Sequence, residues 1–236
     1  CRIPKILVRM KDFLITNDGL KQQGIFRIQP DGAEFPIVKK QLNNTVKNFD
    51  FNDINCIANA VKVWFRDLPI KVLSGVDPNM FKNCNNKDDA KFIIENAVQE
   101  PYKSVFEWLL DLAYLVVKDV KSNRMDAKNM AVVFCPNLYE SPDINSPDAL
   151  ALSQNLLKFT EFAIRYRIDF RDNNPIGNPE ERPYKNLVNF DDNDDVKNND
   201  EPIQVIIPES EELINQKNND DMDDNKTNND NDNDSN

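Results

Sequence analysis

Histidine is absent from this 236-residue chain, glycine occurs only five times, and there are four cysteines. Without histidine the chain cannot form a Ser–His or Cys–His nucleophilic site or a zincin-type metal site. The cysteines, at positions 1, 56, 84 and 135, show none of the spacings typical of metal ligands, so reduced thiols are expected. A glycine-rich phosphate loop is also missing. The sequence therefore predicts no metal centre and none of the common hydrolytic sites.

Long apolar runs are missing as well. No stretch of the sequence approaches the roughly 18 uninterrupted apolar residues of a membrane span. No charged segment followed by an apolar one resembles a secretory signal. We therefore expect a cytoplasmic protein without direct membrane insertion.

Charge divides the chain into two parts. Residues 186–236 carry 16 acidic and three basic side chains, a net charge of −13, whereas the whole chain carries −11 and the first 185 residues +2. The acidic part is rich in Asn and Asp and cannot bury enough apolar area to offset its ordering entropy. We predict a folded domain at residues 1–170, a linker at 171–189 and a disordered acidic tail at 190–236.

The same charge distribution limits the partners. The folded part is close to neutral and the tail repels phosphate, so no nucleic-acid partner is expected. One hypothesis for the tail is that it restrains the basic face of its own domain electrostatically. The alternative is that it only keeps the protein soluble.

Apolar residues recur at helical spacing along the first 170 residues, and no segment shows strand-like alternation. An all-α domain is therefore predicted. Asp53 and Asp126 are expected to cap helices, and the apolar helix from Pro101 to Val120 is expected to be central and buried. The predicted helices are 3–14, 34–42, 54–68, two short ones within 77–98, 101–120, 127–134, and a last one from Pro147 to near Arg167.

The segment Gly24-Ile25-Phe26-Arg27 places two apolar residues directly before a long cation, on a loop between two helices. Buried apolar neighbours would hold the loop rigidly and keep the cation outside the core. Such an arrangement suits a functional arginine. The alternative is an ordinary surface arginine, the commonest environment of that residue type.

Lys62 and Arg66 lie four residues apart on the third predicted helix, where like charges repel. The pair therefore adds nothing to stability. It is either a solvated basic flank or part of a site that awaits an acidic partner.

Three blocks of sequence, in order and at matching spacing, resemble the RhoGAP domain, the activator of Rho-family GTPases. They are Gly24–Arg27, Lys62–Pro69, and Asn123–Met125 leading through Asn129–Phe134 to Pro136–Leu138. The resemblance covers about residues 3–167. The Trp64-Phe65-Arg66 segment is similar to the plant-type activators of Rop GTPases. The resemblance implies a helical bundle with an arginine-finger loop.

The resemblance also implies roles for individual residues. Arg27 corresponds to the arginine finger, inserted in trans into a Rho/Rac/Rop-type small GTPase in its GTP-bound state. Lys62 and Arg66 correspond to the basic pair that supports the finger and contacts the GTPase. Asn137 corresponds to the asparagine that binds the partner's switch region, and Asn129 to a structural position.

No cofactor of its own is implied for the chain, since GTP and Mg²⁺ are carried by the partner. A monomeric domain is expected, and its GTPase or domains upstream would recruit it to membranes. The alternative function is a non-catalytic module that binds Rho GTPases without accelerating hydrolysis.

The sequence departs from the family pattern at three places. Cys135 stands where the family has a glycine, which raises the question of the backbone angle at that turn. Ile70-Lys71 replaces the usual Glu-Pro. Gln29–Gly32 replaces small polar residues after the finger, a change expected to alter loop mobility.

Overall fold

The computed structural model of the chain describes residues 3–43, 52–140 and 147–175, and within these ranges all regular structure is helical. Two short 3-10 turns, Gly19–Lys21 and Cys135–Asn137, accompany the α-helices. The predicted all-α fold is confirmed. The α-helices in these ranges are α1 (Lys5–Thr16), α2 (Glu34–Asn43), α3 (Ile54–Arg66), α4 (Pro78–Asn83), α5 (Lys87–Asn96), α6 (Tyr102–Lys118), α7 (Val120–Asn123), α8 (Ala127–Phe134) and α9 (Pro147–Asn173).

Helix starts follow local capping chemistry. The Asp53 carboxylate accepts a hydrogen bond from the Asn55 N–H at 2.9 Å at the start of α3. The Asp126 carboxylate accepts one from the Asn129 N–H at 2.7 Å at the start of α8. Such a cap satisfies a backbone donor that has no partner within the helix. Both predicted caps are confirmed.

Helix α6 forms the centre of the bundle. Trp108, Leu112 and Val116 are fully buried, and the Phe106 ring lies 6.1 Å from the Phe159 ring of α9. The predicted central helix is therefore confirmed. It ends at Lys118 rather than Val120, because the Asp119 N–H turns back to the Val116 carbonyl at 3.1 Å before α7 begins.

Helix α9 continues to Asn173, so the predicted end near Arg167 is wrong. Arg167 and Arg171 both reach the buried carboxylate of Asp111 on α6, with nitrogen–oxygen distances between 2.6 and 2.9 Å. These contacts hold one more turn of helix against the bundle than the apolar pattern indicates.

The predicted tail at 190–236 and most of the predicted linker at 171–189 lie outside the described residues. The domain limits therefore stay predictions. Among the described helices, none is both long enough and apolar enough to cross a membrane.

Candidate functional site

The Arg27 loop (residues 22–28) is attached to the core by two apolar side chains. Ile25 and Phe26 are fully buried, and the Phe26 ring lies 5.2 Å from the Phe134 ring on α8. Arg27, the next residue, is exposed. The structure therefore places the cation outside the core, directly beside two buried anchors, as the sequence indicates.

The backbone of this loop is strained. Gly24 has a φ of 70° and Phe26 a φ of 68°, and the left-handed region costs a bulky residue about 1–3 kcal/mol. A Cβ atom at Gly24 would lie only 2.9 Å from the Ile28 Cγ1, so glycine is required there. The N–H groups of Arg27 and Ile28 both donate to the Gly24 carbonyl, at 2.8 and 2.9 Å. Strain of this kind persists only where the surroundings fix the backbone.

Asn123, at the end of α7, holds the start of this loop. Its carbonyl accepts a hydrogen bond from the Gly24 N–H at 2.8 Å. Its fully buried amide nitrogen donates to the carbonyls of Leu20 and Val116, at 2.7 and 2.6 Å. Its amide oxygen accepts from the Met125 N–H at 2.7 Å. The sequence places Asn123 in one of the three family blocks but gives it no role.

The segment that follows the Arg27 loop is tied to α2 and α3 through Asp31. The Asp31 carboxylate accepts from the N–H groups of Ala33 and Glu34 at 2.9 Å each. The Asp31 N–H donates to the Asp53 carboxylate at 2.8 Å. Partial burial acts to raise the pKa of Asp53, but hydrogen bonds from the Asp31 and Asn55 backbones and the Asn55 side chain outweigh it and lower that pKa. The unusual Gln29–Gly32 segment is thus anchored at its aspartate.

Lys62 and Arg66 lie in the C-terminal half of α3. Lys62 is half-buried, and burial together with the nearby Arg66 charge lowers its pKa. The predicted repulsion is therefore present. Arg66 is exposed, and its Nε lies 2.9 Å from the Asp67 carboxylate, a partner that the sequence interpretation overlooked. In the part of the chain that the structure describes, Lys62 has no carboxylate within 4.0 Å.

Lys71 closes the end of α3. Its Nζ donates to the Arg66 carbonyl and, at 2.9 Å, to the Leu68 carbonyl. A cation at this end of a helix satisfies carbonyls without helical partners and favours the helix dipole. The departure at Ile70-Lys71 therefore supplies a cap, and it leaves Ile70 56% exposed.

Asn137 lies in the 3-10 turn that ends α8. Its amide nitrogen donates to the Val133 carbonyl at 3.0 Å and, more weakly, to the Phe134 carbonyl at 3.5 Å. Cys135 in the same turn has φ −47° and ψ −45°, ordinary right-handed values. The cysteine at the family's glycine position therefore causes no backbone strain. Burial raises the pKa of its thiol to about 11, against a smaller opposite effect of a hydrogen bond with Thr160.

Helix α8 and its final turn connect the segments that carry the predicted site. The Arg27 loop packs on Phe134 through Phe26, and the turn with Asn137 packs against α3, which carries the basic pair. A hydrogen bond of 2.9 Å from the Leu73 N–H to the Leu138 carbonyl joins the chain beyond α3 to the same turn. Three segments distant in sequence are thus held around one helix end. Asn129, also on α8, donates to the Arg124 carbonyl at 3.1 Å, as a structural residue would.

Comparison with known proteins agrees with this architecture. The RhoGAP domain family model matches residues 4–143. The chain is 37% identical over 141 residues to Rho GTPase-activating protein 2 of Arabidopsis thaliana, covering 60% of this chain and 32% of that protein. It is 34% identical over 170 residues to Rho GTPase-activating protein gacA of Dictyostelium discoideum, covering 71% and 49%. The chain thus spans about a third to a half of the length of these relatives.

Solved structures show the same fold. The BH domain from Graf, described as the GTPase regulator associated with focal adhesion kinase, superimposes with a TM-score of 0.61 at 18% identity, covering 71% of this chain and 93% of that one. Human Rho GTPase activating protein 15 gives the same TM-score and identity, covering 70% and 83%. With more than half of its length matched by the family model, the chain belongs to the RhoGAP domain family.

Proposed function

We propose that this chain stimulates GTP hydrolysis by a GTP-bound Rho-type small GTPase, and that Arg27 enters the partner's nucleotide site in trans. Family membership and the names of the relatives support the class of activity. The observation that carries the residue assignment is the Arg27 loop itself. It presents an exposed guanidinium from a strained backbone whose neighbouring side chains are fully buried.

An arginine suits this reaction because phosphoryl transfer moves negative charge between phosphate oxygens. The Arg27 guanidinium donates a rigid fork of hydrogen bonds to oxygens whose charge increases in the transition state. Such a trans arginine raises the rate by about 10³–10⁵. The activator supplies no base, and the partner carries GTP and Mg²⁺, so the chain requires no cofactor of its own.

A loop that is already ordered increases the rate acceleration that Arg27 can provide. If the backbone at Gly24 and Phe26 had to be ordered when the partner binds, part of the binding free energy would be lost to that ordering. Here buried side chains and hydrogen bonds order it in advance. The free energy gained at the transition state then appears in the rate.

The neighbouring polar residues suit contact with the partner. Lys62 is half-buried and has no carboxylate partner within the described residues, so an acidic group on the GTPase would compensate its charge. The amide nitrogen of Asn137 is used by the carbonyls of α8. In the described ranges its amide oxygen accepts no hydrogen bond, which leaves it for a donor on the partner's switch region.

The test is single-turnover GTP hydrolysis on a panel of Rho-type GTPases, with the full chain as wild type, Arg27→Ala, Arg27→Lys and Arg165→Ala. Arg165 is an exposed arginine on α9 that pairs with Glu161 at 2.8 Å, so it controls for the loss of an exposed arginine elsewhere. We expect acceleration by wild type and Arg165→Ala, and little by either Arg27 variant.

Two other results would contradict the proposal. Binding of GTP-loaded partners without acceleration by wild type would make the chain a non-catalytic module. Full acceleration by Arg27→Ala would remove Arg27 from the catalytic role.

A further inference from the structure

We propose that Asn123 is the positioning residue that fixes the conformation of the Arg27 loop and so sets the catalytic efficiency of Arg27. This inference rests on the proposed function. Asn123 and Gly24 are 99 positions apart in the sequence, yet a 2.8 Å hydrogen bond joins the Asn123 carbonyl to the N–H of the glycine.

Asn123 holds the loop at two points. Its backbone carbonyl binds Gly24, the first residue of the loop with a positive φ. Its side-chain nitrogen binds the Leu20 carbonyl, in the 3-10 turn just before the loop, at 2.7 Å. The same nitrogen binds the Val116 carbonyl near the end of α6 at 2.6 Å. One residue thus connects the approach to the loop, the loop and the central helix.

The loop needs such an attachment because its conformation is unfavourable by itself. Gly24 holds a positive φ that is only one of many conformations open to glycine, and Phe26 lies in the left-handed region, which a bulky residue in a free chain would leave readily. The packing of Phe26 on Phe134 fixes the second of these residues, and the backbone carbonyl of Asn123, held in place by the three hydrogen bonds of its buried side chain, fixes the first. The guanidinium of Arg27 lies at the end of a long side chain, so a small backbone shift at Gly24 moves it substantially.

Asparagine fits the chemistry of this position. The site requires two N–H donors for the carbonyls of Leu20 and Val116 and one acceptor for the Met125 N–H, all at full burial and without charge. Aspartate would offer no donors and would bury a charge. Leucine would leave the Leu20 carbonyl and the Met125 N–H without these partners, while the Val116 carbonyl would keep only its bond from the Asp119 N–H. Among side chains of similar size, only a carboxamide offers both the donors for the two carbonyls and the acceptor for the N–H.

A further contact supports the same arrangement. Arg124, directly after Asn123, has a φ of 61°, and its carbonyl accepts the Asn129 side chain at 3.1 Å. Asn129 is only half-buried, so its replacement would leave a carbonyl that water can reach. Asn129→Ala therefore weakens the support of Asn123 with less risk to folding than Asn123→Ala carries.

The experiment measures maximal hydrolysis rate at saturating activator and, separately, affinity for the partner loaded with a non-hydrolysable GTP analogue. It uses the full chain as wild type, Asn123→Ala, Asn129→Ala and, as a control for core destabilisation, Ile94→Ala. Ile94 is 1% exposed on α5, a helix that packs against α9. All measurements are made at a temperature where each variant is folded by circular dichroism.

We expect Asn123→Ala to lower the maximal rate by about 10- to 100-fold, because misplacement of a catalytic group by about 1 Å has effects of this size. The affinity for the partner should change much less. Asn129→Ala should likewise lower the maximal rate more than the affinity, with a smaller loss of rate. Amide hydrogen exchange at Arg27 and Ile28 should accelerate in both variants. Ile94→Ala should change neither the maximal rate nor local exchange at those two amides.

The possible outcomes separate this inference from the proposed function. If wild type fails to accelerate hydrolysis on the whole panel, the proposed function fails first. If wild type accelerates it and both asparagine variants retain the maximal rate while folded, Asn123 is merely structural and the inference is overturned. If Asn123→Ala does not fold, Asn129→Ala with its exchange data decides the question.

Discussion

Two arginine environments in this chain differ sharply. Arg167 is buried and Arg171 nearly so, and both share the Asp111 carboxylate on α6, which is 2% exposed. Arg27 is exposed, and within the described ranges it has no ion pair with a carboxylate. For Arg167 and Arg171 the fold supplies a carboxylate partner for the guanidinium, whereas for Arg27 it fixes only the backbone.

With Arg27 in the proposed role, the difference shows how arginine can serve stability at one position and function at another. A buried arginine must be paired, because an uncompensated charge in the interior costs several kcal/mol. An exposed arginine needs no partner for folding, so the fold can leave its guanidinium available. In the proposed function, the strain at Phe26 and the buried amide of Asn123 serve the position of Arg27 rather than its charge.

The largest expected effect is on activity. Arg27→Ala should lower the stimulated rate of GTP hydrolysis by about 10³–10⁵, equivalent to about 4–7 kcal/mol of transition-state stabilisation. Its free energy of unfolding should stay within about 0.5 kcal/mol of wild type, as for other surface substitutions. Rate assays and urea denaturation on the same samples check both parts. A large loss of stability would remove the contrast with Arg167.

Asp111→Ala should show the opposite pattern. It leaves Arg167 and Arg171 without their shared carboxylate in a buried setting, and breaking a buried pair from one side costs about 3–5 kcal/mol. The maximal hydrolysis rate per folded molecule should remain near wild type, because the Asp111 carboxylate binds two arginines of α9, a helix that carries none of the proposed site residues. Denaturation with parallel rate assays measures this. A fall in rate comparable to that of Arg27→Ala would show that the two regions are coupled.

The Asp111 cluster (Asp111, Arg167 and Arg171) should also give the stability a pH dependence. Burial acts to raise the pKa of Asp111, but the hydrogen bonds and charges of the two arginines outweigh it and hold that pKa below the ordinary value of 3.8. Between the folded and unfolded pKa values, the unfolded state binds more protons. The stabilisation is therefore complete above the unfolded pKa and is lost as the pH falls through the folded pKa.

Urea denaturation between pH 6 and pH 3 tests this dependence. Wild type should lose stability over the acidic part of that range, and Asp111→Asn should lose less, because the amide does not titrate. Equal slopes for the two proteins would mean that other carboxylates account for the acid sensitivity.

Much of the bundle was predictable from local chemistry. Asp53 and Asp126 cap helices where the sequence places them, and α6 is buried because its apolar residues cover nearly its whole circumference. The exposure of Arg27 beside two buried residues also followed from the sequence. These features depend on residues that are close together in the chain.

The features that escaped prediction join distant residues. The last turn of α9 depends on Asp111, 56 positions before Arg167, which no apolar period reveals. The hydrogen bond from Gly24 to Asn123 and the left-handed Phe26 depend on a fold that brings α7 to the Arg27 loop. Sequence motifs indicated which segments matter, but only the folded chain shows which groups hold them.

A smaller effect is expected at the basic pair. Lys62→Met keeps most of the half-buried stem and removes a charge that burial and Arg66 disfavour. Stability should rise by about 0.2–0.5 kcal/mol, the size of an i,i+4 repulsion. Affinity for the GTP-bound partner should fall. Lys91→Met on α5, where Lys91 lies 4.0 Å from Glu95, is the matched control and should leave affinity unchanged. Strong destabilisation with normal activation would make Lys62 a structural residue.

The smallest effect on activity is expected at Cys135, in the turn that carries Asn137. Because its φ of −47° and ψ of −45° suit any residue, restoring the family's glycine there relieves no strain. Cys135→Gly should instead lower stability by about 0.5–1 kcal/mol through the greater freedom of glycine in the unfolded chain. It also removes a buried thiol that contacts Thr160. Cys135→Ala, which keeps the Cβ, separates these two causes, since it loses only the thiol.

The stimulated rate should be the same for wild type and both variants in the GTPase assay. A faster rate for the glycine variant alone would show that the cysteine holds Asn137 away from its best position, so that this departure from the family pattern limits activity.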